Sequence, residues 1–123
     1  AAIVITAGSL DPDLENPRWF NYVAVGLGPI LPRMFRVSNA EIFAAREETE
    51  ALDAILDRVS CPVFIVHGTR DRLVPYANVA YMERSFTNAS AIETITVENA
   101  DHFLLWTQAE VVRSAVMKAL ASP

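Results

Sequence analysis

Val63-Phe64-Ile65-Val66 is a run of four apolar residues, led by Cys61-Pro62 and followed by His67-Gly68. A strand with one wet face alternates apolar and polar side chains, whereas a strand apolar at every position must be covered on both faces, as in the centre of a parallel sheet packed between helices. This run therefore predicts a central parallel strand. Ala1 to Gly8 reads as a second buried strand from its first residue, as though the chain started in mid-fold, and Ala91 to Val97, rich in Ile, Thr and Val, reads as a third.

Helical patterns separate these strands. Ser38-Asn39-Ala40-Glu41 fits a capping box that opens a helix with Ile42, Phe43, Leu52, Ile55 and Leu56 on its apolar stripe and a break near Glu48. Pro75 suits the first position of the next helix, which continues through Val79, Ala80, Met82, Arg84 and Phe86. Thr107-Gln108-Ala109-Glu110 is a second capping box, opening a terminal helix that buries Val111, Val112, Ala115, Val116, Ala119 and Leu120. Residues 12 to 37 mix prolines, glycines and aromatics without a period and read as irregular. Their apolar members, Trp19, Phe20, Tyr22 and Phe35 among them, suit either a cap over a pocket or a loop packed on its own core. The alternation of strand and helix predicts one α/β domain over residues 1–123, a three-stranded parallel sheet flanked by helices, with a cap-like insertion at about 12–50.

Composition excludes several classes. With ten Lys and Arg against fifteen Asp and Glu, the net charge is −5, which does not suit a partner recognised through its phosphate backbone, so no nucleic acid is expected. Cys61 is the only cysteine, so no intrachain disulfide or multi-cysteine zinc site can form, and its expected role is that of a small buried apolar side chain. No apolar run reaches the roughly 20 residues that span a bilayer, and no signal peptide precedes the first strand, which leads to the expectation of a cytoplasmic protein.

Ligands of parallel α/β sheets bind at the C-terminal strand ends, so the residues leaving each strand are the candidates for chemistry. They are Gly8-Ser9-Leu10-Asp11, then His67-Gly68-Thr69-Arg70-Asp71-Arg72-Leu73-Val74-Pro75, then Glu98-Asn99-Ala100-Asp101-His102-Phe103. A histidine and several acids are thus expected at one rim.

The second exit, an apolar strand with His-Gly, a short turn, Asp71, two residues and Val-Pro, resembles the acid loop of the α/β-hydrolase superfamily. Asp101-His102-Phe103 and the amphipathic helix behind it resemble that family's histidine loop, and within the family the sequence looks most like esterase or lysophospholipase-type hydrolases. The resemblance implies a partial α/β-hydrolase fold in which His102 is the general base and Asp71 orients it. The family draws its nucleophile from a G-x-S-x-G elbow earlier in the chain. None of the seven serines here has that flanking pattern, and an HGGG-type oxyanion motif is also absent.

Asp71 could instead only cap a turn, and Asp11 is its rival as the acid, since some of these hydrolases carry theirs after the preceding strand. Asp101, adjacent to His102, is poorly placed to reach that ring's Nδ1. His67 reads as a packed structural histidine.

The function implied is the C-terminal portion of a serine hydrolase for carboxylic esters or related acyl compounds. A small-molecule acyl substrate and no metal or organic cofactor are expected, and this chain alone is expected to be inactive. The alternatives are a non-catalytic α/β binding or assembly module, and a receiver-like domain that would need more acids near the first strand and a well-placed lysine. Ile3, Val4 and Ile5 should present an unpaired strand edge, which implies a homodimer or larger oligomer.

Overall fold

The structure, a computed structural model, describes residues 1–14, 17 and 19–122. Three parallel strands, β1 (Ile3–Thr6), β2 (Val63–Gly68) and β3 (Ile92–Val97), form one sheet with β2 in the centre. Every residue of β2 is buried, as its unbroken apolar run requires. Its side chains alternate between two cores. Val63 and Ile65 pack with Leu56, Val79, Met82 and Phe86, while Val66 packs on the opposite face with Ala100, Leu104, Val112 and Ala115. Full burial of such a side chain contributes roughly 1.5–3 kcal/mol, so this strand organises the fold.

Besides Leu56, the helices supplying these cores are α3 (Ala77–Ser85), the short α4 (Leu104–Thr107) and α5 (Ala109–Ala121). Between β1 and β2 lie α1 (Trp19–Gly26) and α2 (Arg33–Leu56), with 3-10 turns at Pro12–Leu14 and Gly28–Ile30. The stretch expected to be irregular is thus largely helical, although Glu15, Asn16 and Arg18 lie outside the described residues. Its helicity is invisible to periodicity because α1 is apolar on nearly every side and most of those side chains are exposed, Trp19 at 76%.

Ser38 does not begin α2, which starts five residues earlier. Pro32, with φ −53°, precedes the first turn, and its carbonyl accepts from the Phe35 and Arg36 N–H groups, leaving Ser38 in the helix interior. The helix runs unbroken past Glu48, braced by the Arg46–Glu50 ion pair, and of its expected apolar stripe only Leu56 is buried. Phe43 packs edge-to-face on Tyr22 of α1, and the Asn21 amide bonds to Asn39, so α1 and α2 hold each other.

Two further starts are displaced. Pro75 lies two residues before α3, and Tyr76 is the cap. Thr107 closes α4 by donating to the Phe103 carbonyl, so it cannot cap α5, which opens after Gln108 without a side-chain cap. In α5 Val112 and Ala115 are buried, but Val116 and Leu120, expected in the core, are exposed. They line a groove with Ala1, Ala2 and Val4 next to β1.

Asn78 joins the first strand exit to α3. Fully buried, it accepts from the backbone N–H groups of Leu10 and Asp11 at 2.8 and 2.9 Å and donates to the Pro75 carbonyl. The Tyr81 hydroxyl donates to Asp53 and so ties α3 to α2. Burial, reinforced by that carboxylate, pushes its phenol up to about 12. β1 has one neighbour, β2, so its other edge is open among the described residues, as expected. Cys61 is free and half-buried rather than buried. Among the described residues no helix is long and apolar enough to cross a membrane.

Candidate active site

The second and third strands end level with each other, Gly68 opposite Val97, so their exit loops share one rim. Gly68 permits the loops to close. A Cβ there would come within 2.7 Å of the Ala100 carbonyl carbon and 2.9 Å of the Asp101 carbonyl oxygen, and closer still to the Ala100 oxygen. In its absence the Thr69 N–H donates to the Val97 carbonyl at 3.1 Å and the Arg70 N–H to the Ala100 carbonyl at 3.0 Å, stitching the loops together. Asn99 takes the left-handed conformation that turns the third loop back, with φ 59°, which asparagine tolerates better than most residues. Its N–H donates to the Thr69 hydroxyl.

This closure brings Asp71 to His102. The His102 Nδ1 lies 2.8 Å from Asp71 Oδ2, and because a carboxylate only accepts, Nδ1 carries the proton. The other carboxylate oxygen, Oδ1, accepts from the N–H groups of Leu73 and Val74 at 2.9 and 2.8 Å. Asp71 therefore both caps its turn and orients the histidine, one role per oxygen. Its side chain is fully buried. Burial alone would raise its pKa, but the backbone N–H of Val74, the His102 ring and the backbone N–H of Leu73 outweigh that effect and hold the carboxyl below its ordinary value. It remains an anion beside the imidazole throughout the neutral range.

The other candidates are engaged elsewhere. Asp101 turns away from His102 and accepts from the Phe103 N–H at 3.0 Å. Asp11 accepts from the Asp13 N–H at 3.0 Å and faces Arg84 at 3.8 Å. His67 is wholly buried, its Nε2 donates to the Val74 carbonyl at 3.1 Å, and its ring meets Tyr76 edge-to-face. Its Nδ1 has no partner among the described residues, which costs less for the bare lone pair of that tautomer than for a second N–H. At 3.6 Å from Asp71 Oδ2, beyond hydrogen-bond distance, His67 buttresses the turn.

The His102 ring is partly open to solvent, at 31%, and borders a cleft of about 530 Å³ that Leu73 and Phe103 also line. With Nδ1 committed to Asp71, Nε2 is the ring nitrogen left to serve the cleft. Arg70 and Arg72 line it too. Sequence reasoning passed over both, although their positions either side of Asp71 placed them at this rim. Among the described residues no three His, Cys, Asp or Glu side chains come together as metal ligands.

Comparison with known proteins identifies the family. The family described as TAP-like protein matches residues 41–123. A non-heme chloroperoxidase of Streptomyces lividans is 32% identical over 94 residues, which make up 75% of this chain and 33% of that protein. The chain thus spans about a third of that relative's length. Est1E from Butyrivibrio proteoclasticus superposes with a TM-score of 0.47 at 21% identity, covering 63% of this chain and 32% of that one. The chain belongs to the TAP-like family of the α/β-hydrolase superfamily.

Proposed function

We propose that this chain is the acid-and-histidine portion of a serine hydrolase acting on carboxylic esters or related acyl compounds. The observation that supports this most is the 2.8 Å contact between Asp71 Oδ2 and His102 Nδ1 at the edge of a cleft. In the proposed reaction His102 Nε2 takes the hydroxyl proton of a serine as its oxygen attacks the acyl carbonyl. The same proton then passes to the departing alkoxide. Asp71 keeps the imidazole in the tautomer with Nδ1–H and stabilises the imidazolium that forms.

The nucleophile would come from polypeptide outside these 123 residues, since no serine here lies in a G-x-S-x-G elbow and the chain spans about a third of the chloroperoxidase it resembles. In this reading α1 and α2, with the apolar residues they expose, form the cap-like insertion.

Hydrolysis of a short-chain chromogenic ester tests the proposal. The chain by itself should show no turnover, whereas a polypeptide joining these residues to a G-x-S-x-G elbow should be active. Serine-dependent turnover by the chain alone, or an inactive longer polypeptide that is folded, contradicts it.

The open edge of β1 favours a second reading, an assembly module that pairs edge to edge with a second copy. That reading leaves the Asp71–His102 pair without a role and so ranks second. A strictly monomeric chain in sedimentation at high concentration removes it.

A further inference from the structure

Arg70 and Arg72 flank Asp71 in sequence, are exposed, and line the same cleft as His102. Neither forms an ion pair with an acid among the described residues, which is notable in a chain of net charge −5 where acids outnumber bases fifteen to ten. The acids around the cleft make hydrogen bonds to other groups. Asp71 is taken up by His102, Leu73 and Val74, Asp101 accepts from the Phe103 N–H, and Glu98 accepts from the Thr69 hydroxyl. Two guanidinium groups therefore remain without an ion-pair partner in a lining that also holds the apolar side chains of Leu73 and Phe103, the Asn99 amide and the Asp101 carboxylate.

Guanidinium is the side-chain group best matched to carboxylate and phosphate, because its N–H groups form a planar fork that meets two oxygens at once. We propose that the cleft binds substrates whose apolar chain ends in a carboxylate or phosphate, with Arg70 and Arg72 as the specificity-determining residues for that anionic end. This deepens the acyl-hydrolase reading and rests on it for the identity of the reaction. The chain would lie along Leu73 and Phe103, leaving the acyl carbon near His102 and the anion held on the arginines and away from Asp71 and Asp101, whose negative charges disfavour it close by.

The experiment is an NMR titration of the isotopically labelled 123-residue chain, following the arginine Nε–H and His102 ring signals. The probes are hexanoate, hexyl phosphate, hexanol and hexylamine. At least one anion should bind up to about fivefold more tightly than hexanol, the upper size an exposed ion pair gives, with shifts at Arg70 and Arg72, while hexylamine gains nothing. Hexanoate alone, hexyl phosphate alone, or both would each support the proposal and identify the anion.

The double variant Arg70→Gln/Arg72→Gln should lose that preference, and Arg70→Lys/Arg72→Lys should recover part of it. Hexanol binding as tightly as both anions, an unchanged preference in the glutamine variant, or anion shifts lying elsewhere would overturn the proposal. Because the probes are not hydrolysed, anion binding can succeed while ester turnover fails, and the reverse, so the two readings fail separately.

Discussion

Asp71→Asn is expected to lower the turnover of a polypeptide joining this chain to a G-x-S-x-G elbow by about 10⁴-fold, the loss that the same change causes in a Ser-His-Asp triad, and to leave its fold intact. The reason lies in how the carboxylate divides its oxygens. Oδ1 accepts from the N–H groups of Leu73 and Val74, so an asparagine must keep its carbonyl oxygen there to avoid setting N–H against N–H. Its NH₂ group then replaces Oδ2 in front of His102 Nδ1. Facing a donor, the imidazole can bond only through a bare Nδ1, which moves its proton to Nε2. That is the tautomer unable to accept a serine proton.

His102→Ala should cost more, about 10⁶-fold, and the two changes together little more than His102→Ala alone, because the pair acts as one unit. Steady-state kinetics on the three variants checks this. A loss of less than about tenfold for Asp71→Asn would mean that Asp71 is only a turn cap, since the lost tautomer alone is expected to cost far more.

Gly68→Ala is expected to damage the site without touching either member of the pair. The added Cβ would strike the Ala100 carbonyl, which is backbone and cannot rotate away, so the two exit loops must part. Overpacking of this kind costs roughly 1–3 kcal/mol. It also strains the Thr69–Val97 and Arg70–Ala100 hydrogen bonds that hold the loops in register. A displacement of His102 by about 1 Å from its working position lowers turnover by about 10²-fold. Gly26→Ala is the control, since a Cβ at that position meets nothing within 4 Å. Thermal unfolding and ester kinetics of both variants decide the matter. A Gly68→Ala protein as stable and active as Gly26→Ala would show that the close approach is not needed.

The parts of the molecule that were legible in its sequence are those determined by local pattern. β2 is central because Val63, Phe64, Ile65 and Val66 are all apolar and are buried on both faces, and the loops carrying Asp71 and His102 meet because parallel strands in register end at one rim. The identity of the acid was not settled by pattern. Asp11 and Asp71 both leave strand ends, and what separates them is that Asp71 meets His102 Nδ1 at 2.8 Å while Asp11 faces Arg84.

Helix starts were the weakest point. Ser38 and Thr107 both fit a capping signature, yet Pro32 and α4 supply earlier turns that carry the helix past the first and occupy the second. Asn78 and Gly68 were passed over because their roles are long-range. Asn78 bonds residues 67 and 68 positions away, and Gly68 matters only through the carbonyl of Ala100. Period counting cannot see such contacts.

The proton on His102 Nδ1 offers the most direct test of the central claim. A hydrogen bond of 2.8 Å to a buried carboxylate should slow that proton's exchange and shift its NMR signal well downfield of the backbone amides. The account predicts one such resonance in the unaltered chain, assigned to His102 by ¹⁵N coupling, and its loss in Asp71→Asn. A folded chain with no such signal, or a signal that persists unchanged in Asp71→Asn, would contradict it.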